Sequence, residues 1–159
     1  MLVKHRWSWV SVLLWMALIF YLSHQPAAES SALSGGVMES IVAVVEIIFP
    51  TIQQHLDTFH FFIRKGAHFF AYFILGLLVI HALRGGRLNG YRRVLLALTI
   101  CVLYAISDEV HQLFISGRSG EVTDVLIDSA GASVGIALYL IAKTIKRKRL
   151  QQQLREVNK

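Results

Sequence analysis

Four stretches of the chain carry enough consecutive apolar residues to form helices that cross a membrane. A lipid bilayer needs about 20 mostly apolar residues in a helix, and the pattern predicts spans at residues 7–23, 64–83, 94–115 and 124–142. No segment alternates between apolar and polar residues for long enough to predict a β-strand. The predicted fold is all-α: a polytopic membrane protein whose four-transmembrane-helix bundle fills residues 1–143, followed by a basic cytoplasmic tail, residues 144–159.

The longest connector, residues 24–63, contains a shorter apolar segment. Val37–Phe49 is apolar except for two glutamates and one serine, and Pro50 ends it. Thirteen residues are too few to span a bilayer. Two interpretations stay open: a short amphipathic helix lying in the outer membrane interface, or a lid packed over the bundle.

The composition supports a membrane protein, and the positions of the positive charges predict its orientation. The chain is 55% hydrophobic and 16% charged, with a formal net charge of +6, whereas a soluble domain carries about 25% charged residues. Thirteen of the 16 lysines and arginines flank one side of the predicted spans, which predicts that both termini are cytoplasmic. This distribution argues against nucleic acid as a partner, and the basic tail is placed to contact anionic lipid. The first span is expected to be retained, because its apolar run is longer than that of a signal peptide and rich in aromatic residues.

The polar residues inside the predicted spans fall into one layer. At a rise of about 1.5 Å per residue, they lie roughly 21–28 Å above the basic ends of their helices, in the outer third of the bilayer core. Burying such groups in lipid is costly, so they are expected to face one another or a water-filled pocket. The candidate residues are Ser23, Gln25, Arg64, Lys65, His68, Tyr72, Asp108, Glu109, His111, Gln112, Arg118, Asp124 and Asp128.

Ordinary structural roles compete with the functional interpretation for some of these residues. Arg64 and Lys65 could anchor a helix end at the membrane interface, and His68 or His111 alone could be a packing residue. Gly131 and Gly135 form a face of small residues that permits close helix approach. The spacing matches no zinc motif and the sequence has no nucleotide fingerprint, so neither a metal nor another cofactor is predicted.

The polar segments resemble the VanZ-like family of bacterial integral membrane proteins. The resemblance is carried by Arg64-Lys65-Gly66-Ala67-His68-Phe69-Phe70-Ala71-Tyr72, by Tyr104-Ala105-Ile106-Ser107-Asp108-Glu109-Val110-His111-Gln112, and by Gly117-Arg118-Ser119-Gly120, Asp124, Asp128, Gly131 and Gly135. It implies a multi-pass protein of the bacterial plasma membrane and a contribution to resistance against teicoplanin-type glycopeptide antibiotics.

Two functional hypotheses follow for the pocket. In the first, it binds the head group of an envelope lipid, a lipid-linked cell-wall precursor or a lipoglycopeptide. Arg64, Lys65 and Arg118 would then meet phosphate or carboxylate, while the acids of the third helix would meet sugar or peptide groups. The alternative is an intramembrane hydrolase or transferase that acts on a cell-surface lipid by acid–base chemistry, with catalytic candidates Asp108, His111, His68 and Asp128. A transporter is less favoured, because the cytoplasmic halves of the spans are almost wholly apolar. Whether the protein is an enzyme, and its oligomeric state, stay open.

Overall fold

Four α-helices make up the described part of the chain. The computed structural model describes the backbone of residues 2–26, 56–85 and 90–157, and the side chains of residues 7–26, 61–85 and 90–156. The helices are α1 (Leu2–Ser23), α2 (Leu56–Ala82), α3 (Tyr91–Gln112) and α4 (Val122–Val157), with a short 3-10 turn, Leu83–Gly85, after α2. These described residues contain no strand, which confirms the predicted all-α fold for them.

The helices have the length and surface of membrane spans. Phe61–Gly85, Tyr91–Gln112 and Val122–Glu156 are long and apolar enough to cross a membrane, and Trp7–Ser23 is a shorter apolar helix. Large apolar side chains are turned away from the bundle. Such a surface suits a lipid environment, so the chain is a membrane protein. Examples of these exposed side chains are Leu14, Phe70, Leu103, Leu126 and Leu138.

The closest helix pair is α2 with α4, and glycines make its approach possible. A Cβ atom placed on Gly131 would overlap the backbone carbonyl oxygen of Phe69, and one on Gly135 would overlap that of Phe73. The predicted small-residue face on α4 is therefore confirmed, and it packs directly on the backbone of α2. This packing brings His68 of α2 beside the first turns of α4.

Backbone carbonyl groups connect α1 to the other helices. The indole Nε1 of Trp15 donates a hydrogen bond to the carbonyl oxygen of Ala71 at 2.9 Å. The hydroxyl of Tyr104 donates to the carbonyl oxygen of Met16 at 2.6 Å. Val12 and Ile19 are buried in the same core as the side chains of α2 and α3, so α1 is packed into the bundle along most of its length.

The structure differs from the sequence prediction at several helix ends. α1 begins at Leu2 rather than at residue 7, and α2 begins at Leu56, inside the predicted connector 24–63. The third helix ends at Gln112 rather than near Ile115, because the chain turns there and reaches a left-handed backbone conformation at Gly117, with φ of 75°. The fourth helix continues unbroken through the predicted tail to Val157. The predicted interfacial segment, Val37–Phe49, lies outside the described residues.

Candidate functional site

The predicted polar layer lies at one end of the bundle. This end, where α1 and α3 finish and where α4 begins beside α2, is called the polar end below. On α2, Lys65, His68 and Tyr72 follow one another at spacings of three and four residues, which places them along one side of the helix. Arg64 directly precedes Lys65 and lies four residues before His68. The last turn and a half of α3 supplies Asp108, Glu109, His111 and Gln112, and the first two turns of α4 supply Asp124 and Asp128. Ser23 and Gln25 come from the end of α1.

A buried lysine joins α2 to the start of α4. The ammonium Nζ of Lys65 lies 2.7 Å from a carboxylate oxygen of Glu121 and 2.5 Å from Oδ1 of Asp124. Both Lys65 and Asp124 are buried. Arg64 adds a longer ion pair of 3.4 Å to Glu121, and its side chain is 58% exposed. The neighbouring Lys65 ammonium group lowers the pKa of Glu121 below its ordinary value, so two negative charges hold one buried positive charge in place.

A histidine and two acids lie beneath this ion-pair group. Asp128 is fully buried, and its Oδ1 lies 3.4 Å from Nδ1 of His68. Glu109 is also buried, and its Oε2 accepts a hydrogen bond of 2.8 Å from the backbone N–H of Glu121. Its Oε1 accepts one of 3.2 Å from the side-chain amide of Gln112. Glu109 is therefore fixed by the turn that leads into α4.

The end of α1 closes the polar end through a histidine pair and an arginine. His24 Nδ1 and His111 Nε2 are 3.1 Å apart, and Phe20 stacks on His111 with ring centroids separated by 4.6 Å. Arg118 donates from Nε to the carbonyl oxygen of Gln25 at 2.9 Å and from a terminal nitrogen to that of Leu22 at 3.2 Å. Burial lowers the pKa of Arg118. Its guanidinium group satisfies carbonyl groups that the helix end leaves without intrahelical partners.

Several buried polar atoms at this end have no hydrogen-bond partner within the described residues. They are Ser23 Oγ, Tyr72 OH, Asp108 Oδ1 and both carboxylate oxygens of Asp128. Buried polar groups in proteins are nearly always hydrogen-bonded. The hydroxyl of Ser23 lies within hydrogen-bonding reach of Asp108, and His68 faces Oδ1 of Asp128 at 3.4 Å, so these atoms have neighbours within the bundle. The hydroxyl of Tyr72 and Oδ2 of Asp128 have none among the described residues, and they mark a place where a bound group can supply a partner.

The structure places every candidate residue of the sequence analysis at the polar end, but two roles differ from those expected. Arg118 contacts the end of α1, and Lys65 is neutralised by two acids, so neither presents an unengaged charge. Glu121 and His24 were not among the candidates. Glu121 could have been found, because it precedes Asp124 and Asp128 by three and seven residues and so continues their helix face. The depth estimate puts His24 and His111 at nearly the same height, but the sequence does not indicate that their rings are in contact.

Fold and site together define a helical membrane protein with a buried, carboxylate-rich polar site at one end of its bundle. A family model described as VanZ/LLP1 matches residues 8–143. The match covers most of the chain, and the protein belongs to this VanZ-like family. Comparison with curated proteins and with solved structures found no match for the chain.

Proposed function

We propose that this VanZ-like protein crosses a bacterial plasma membrane with four helices, keeps both termini in the cytoplasm and opens its polar end outward. There it binds the head group of an envelope lipid, a lipid-linked cell-wall precursor or a lipoglycopeptide. The apolar helices Phe61–Gly85, Tyr91–Gln112 and Val122–Glu156 are each long enough to cross a bilayer core of about 30 Å, and the shorter Trp7–Ser23 extends over about 25 Å of it. The concentration of lysine and arginine at the opposite end of the bundle supports the orientation.

The observation that carries this proposal is the set of unpartnered buried atoms. Each buried donor or acceptor that lacks a partner costs about 1–3 kcal/mol, and the hydroxyl, amine or amide groups of a head group would remove that cost. The surrounding helices present apolar side chains to the exterior, where the acyl or polyprenyl chain of the same ligand would lie.

The charges at the polar end favour a particular part of the head group. The buried carboxylates of Asp108 and Asp128 are acceptors, and the ammonium group of Lys65 is already held by Glu121 and Asp124. The buried part of the ligand should therefore present donors, as sugar hydroxyls and amino groups do. A phosphate or carboxylate group would remain at the rim, near the exposed side chain of Arg64.

The binding proposal can be tested with a matched pair of tyrosine variants. Tyr72 belongs to the unpartnered set, whereas Tyr139 packs against His81 at the opposite end of α2. Purified protein in lipid nanodiscs would be titrated with a polyprenyl-phosphate-linked amino sugar and with the same lipid lacking the sugar. Loss of one hydrogen bond of about 1.4 kcal/mol corresponds to about a tenfold weaker affinity.

We expect Tyr72→Phe and Asp108→Asn to weaken binding of the sugar lipid by this factor or more, and Tyr139→Phe to leave it unchanged. Wild-type affinity in both polar-end variants would refute the proposal. In a glycopeptide-sensitive bacterium, expression of the protein should raise the teicoplanin concentration that inhibits growth, and Asp108→Asn should abolish the rise.

One contact favours the enzymatic alternative. A histidine whose ring nitrogen faces a buried carboxylate, as His68 faces Asp128 at 3.4 Å, is the arrangement of an oriented general base. The test is product formation from the bound lipid. Loss of turnover in His68→Gln with unchanged lipid affinity would support hydrolysis or group transfer. Absence of any product with the wild-type protein would refute the enzymatic alternative.

A further inference from the structure

The group formed by His68, Glu109 and Asp128 has the composition and spacing of a metal site. Each residue offers one ligand atom, and these three atoms all lie within 4.8 Å of one another. The residues come from α2, α3 and α4, so the group joins three separate helices. We propose that His68, Glu109 and Asp128 bind one divalent transition-metal ion of the Zn²⁺ class.

The separation between His68 and Asp128 is also compatible with a cation shared by the two side chains. Nδ1 of His68 and Oδ1 of Asp128 are 3.4 Å apart, and Oδ1 has no hydrogen-bond partner among the described residues. In a tetrahedral site with ligand bonds of 2.0–2.1 Å, neighbouring ligand atoms are separated by about 3.4 Å. These two atoms therefore already have the separation that a tetrahedral ion requires, and the ligand atom of Glu109 lies within 4.8 Å of both.

Charge balance supports an ion at the same place. Asp128 is fully buried, and within the described residues its ion-pair partner is His68 alone. The nearby ammonium group of Lys65 is paired with Glu121 and Asp124 instead. Buried charges are stable only when they are paired or coordinate a metal. A divalent cation would neutralise the carboxylates of Glu109 and Asp128 together.

The donor types select the kind of ion. Imidazole nitrogen suits Zn²⁺ and its neighbours in the first transition row, whereas Mg²⁺ and Ca²⁺ prefer sites made of oxygen alone. Both oxygens of Glu109 accept hydrogen bonds, from Glu121 and Gln112. A carboxylate oxygen retains a second lone pair for a metal, and these bonds orient the ligand as outer partners do in metal sites. Three protein ligands leave a position open on a zinc ion.

The experiment uses Co²⁺ as a spectroscopic substitute for Zn²⁺. The purified full-length protein is treated with a chelator, and Co²⁺ is then titrated while visible absorption is recorded. We expect saturation at a single equivalent with an absorption intensity typical of tetrahedral coordination, and displacement of the colour by Zn²⁺. His68→Gln and Asp128→Asn should each weaken Co²⁺ binding by at least about 100-fold.

The matched control is His111→Gln, which alters the other histidine of the polar end, located against His24 and Phe20. This variant should bind Co²⁺ as the wild type does. The proposal is overturned if the wild-type protein shows no saturable Co²⁺ absorption, or if His111→Gln abolishes binding while His68→Gln does not. Zn²⁺ should also raise the unfolding temperature of the wild type and not that of Asp128→Asn.

This inference goes beyond head-group binding. Both proposals use the carboxylate of Asp128, so with the ion bound the head group would be left to the other buried acceptors, such as Asp108. A protein that binds the ion but no lipid would refute only the lipid proposal. Lipid binding that persists after chelation, in a protein that binds no Co²⁺, would refute only the metal-site proposal.

Discussion

Replacing Gly131 with alanine should separate α2 from α4 and distort the polar end. The added methyl group would overlap the carbonyl oxygen of Phe69 and lie 3.0 Å from its carbonyl carbon. Restoring an ordinary van der Waals distance requires the helices to separate by about 1 Å. Phe69 directly follows His68, and Gly131 lies three residues after Asp128 on α4, so the same movement lengthens the 3.4 Å contact between His68 and Asp128.

The expected cost follows from overpacking in a well-packed core, about 1–3 kcal/mol. It is opposed by the better helix propensity of alanine, up to about 1 kcal/mol in water. Gly66→Ala separates these effects, because Gly66 also lies in α2 but a Cβ atom there would meet nothing within 4 Å. The free energy of unfolding would be measured for both variants by detergent titration in mixed micelles.

We expect Gly131→Ala to be less stable than Gly66→Ala by about 1–3 kcal/mol. Gly131→Ala should also bind Co²⁺ more weakly than Gly66→Ala does. Equal stability of the two variants would refute the inferred direct contact between the backbone of α2 and the glycine face of α4. Lower stability of Gly66→Ala would contradict it more strongly.

Three further predictions concern the charged residues of the polar end. Lys65→Met leaves the buried carboxylate of Asp124 without its cation and should reduce the free energy of unfolding by about 3 kcal/mol. Arg64→Met changes an exposed side chain and should reduce the free energy of unfolding by less than about 1 kcal/mol. Similar losses in the two variants would contradict the burial of Lys65. Lys65 lowers the pKa of Glu121 in the folded protein. The ion pair therefore stabilises the fold fully above the ordinary glutamate pKa of about 4.3, and this stabilisation is lost as the pH falls through the lower pKa of the folded protein. Glu121→Gln should reduce the dependence of the free energy of unfolding on pH in this acidic range. Arg118→Gln removes the guanidinium donors that bind carbonyl oxygens at the end of α1. It should increase amide hydrogen exchange at residues 22–25, with unchanged exchange in α4 as the internal control.

The helices and the shared depth of their polar groups could be predicted from the sequence because both depend on one-dimensional quantities. The length of an apolar run and the distance from a basic flank placed His68, Asp108 and Asp128 at one level before any contact was known. A close approach of some helix to α4 was equally accessible, since Gly131 and Gly135 recur at helical spacing, but the identity of that helix, α2, was not.

The detailed contacts could not be predicted, because they depend on backbone acceptors and on the partner chosen by each cation. Arg118 was expected to meet a ligand anion but donates to the carbonyl oxygens of Leu22 and Gln25, and a carbonyl acceptor has no signature in a sequence. The proximity of His68, Glu109 and Asp128 could not be predicted for a similar reason. His68, Glu109 and Asp128 are far apart along the chain, and only the packing of three helices brings them together.

The continuity of α4 has a mechanical consequence. Its 36 residues form one helix about 54 Å long, with Asp124 and Asp128 in its first two turns and exposed basic residues along its last four. In an unbroken helix, a tilt or rotation at one end is coupled to the position of the other end. As one continuous helix, α4 links the position of its basic end to that of Asp124 and Asp128 at the polar end.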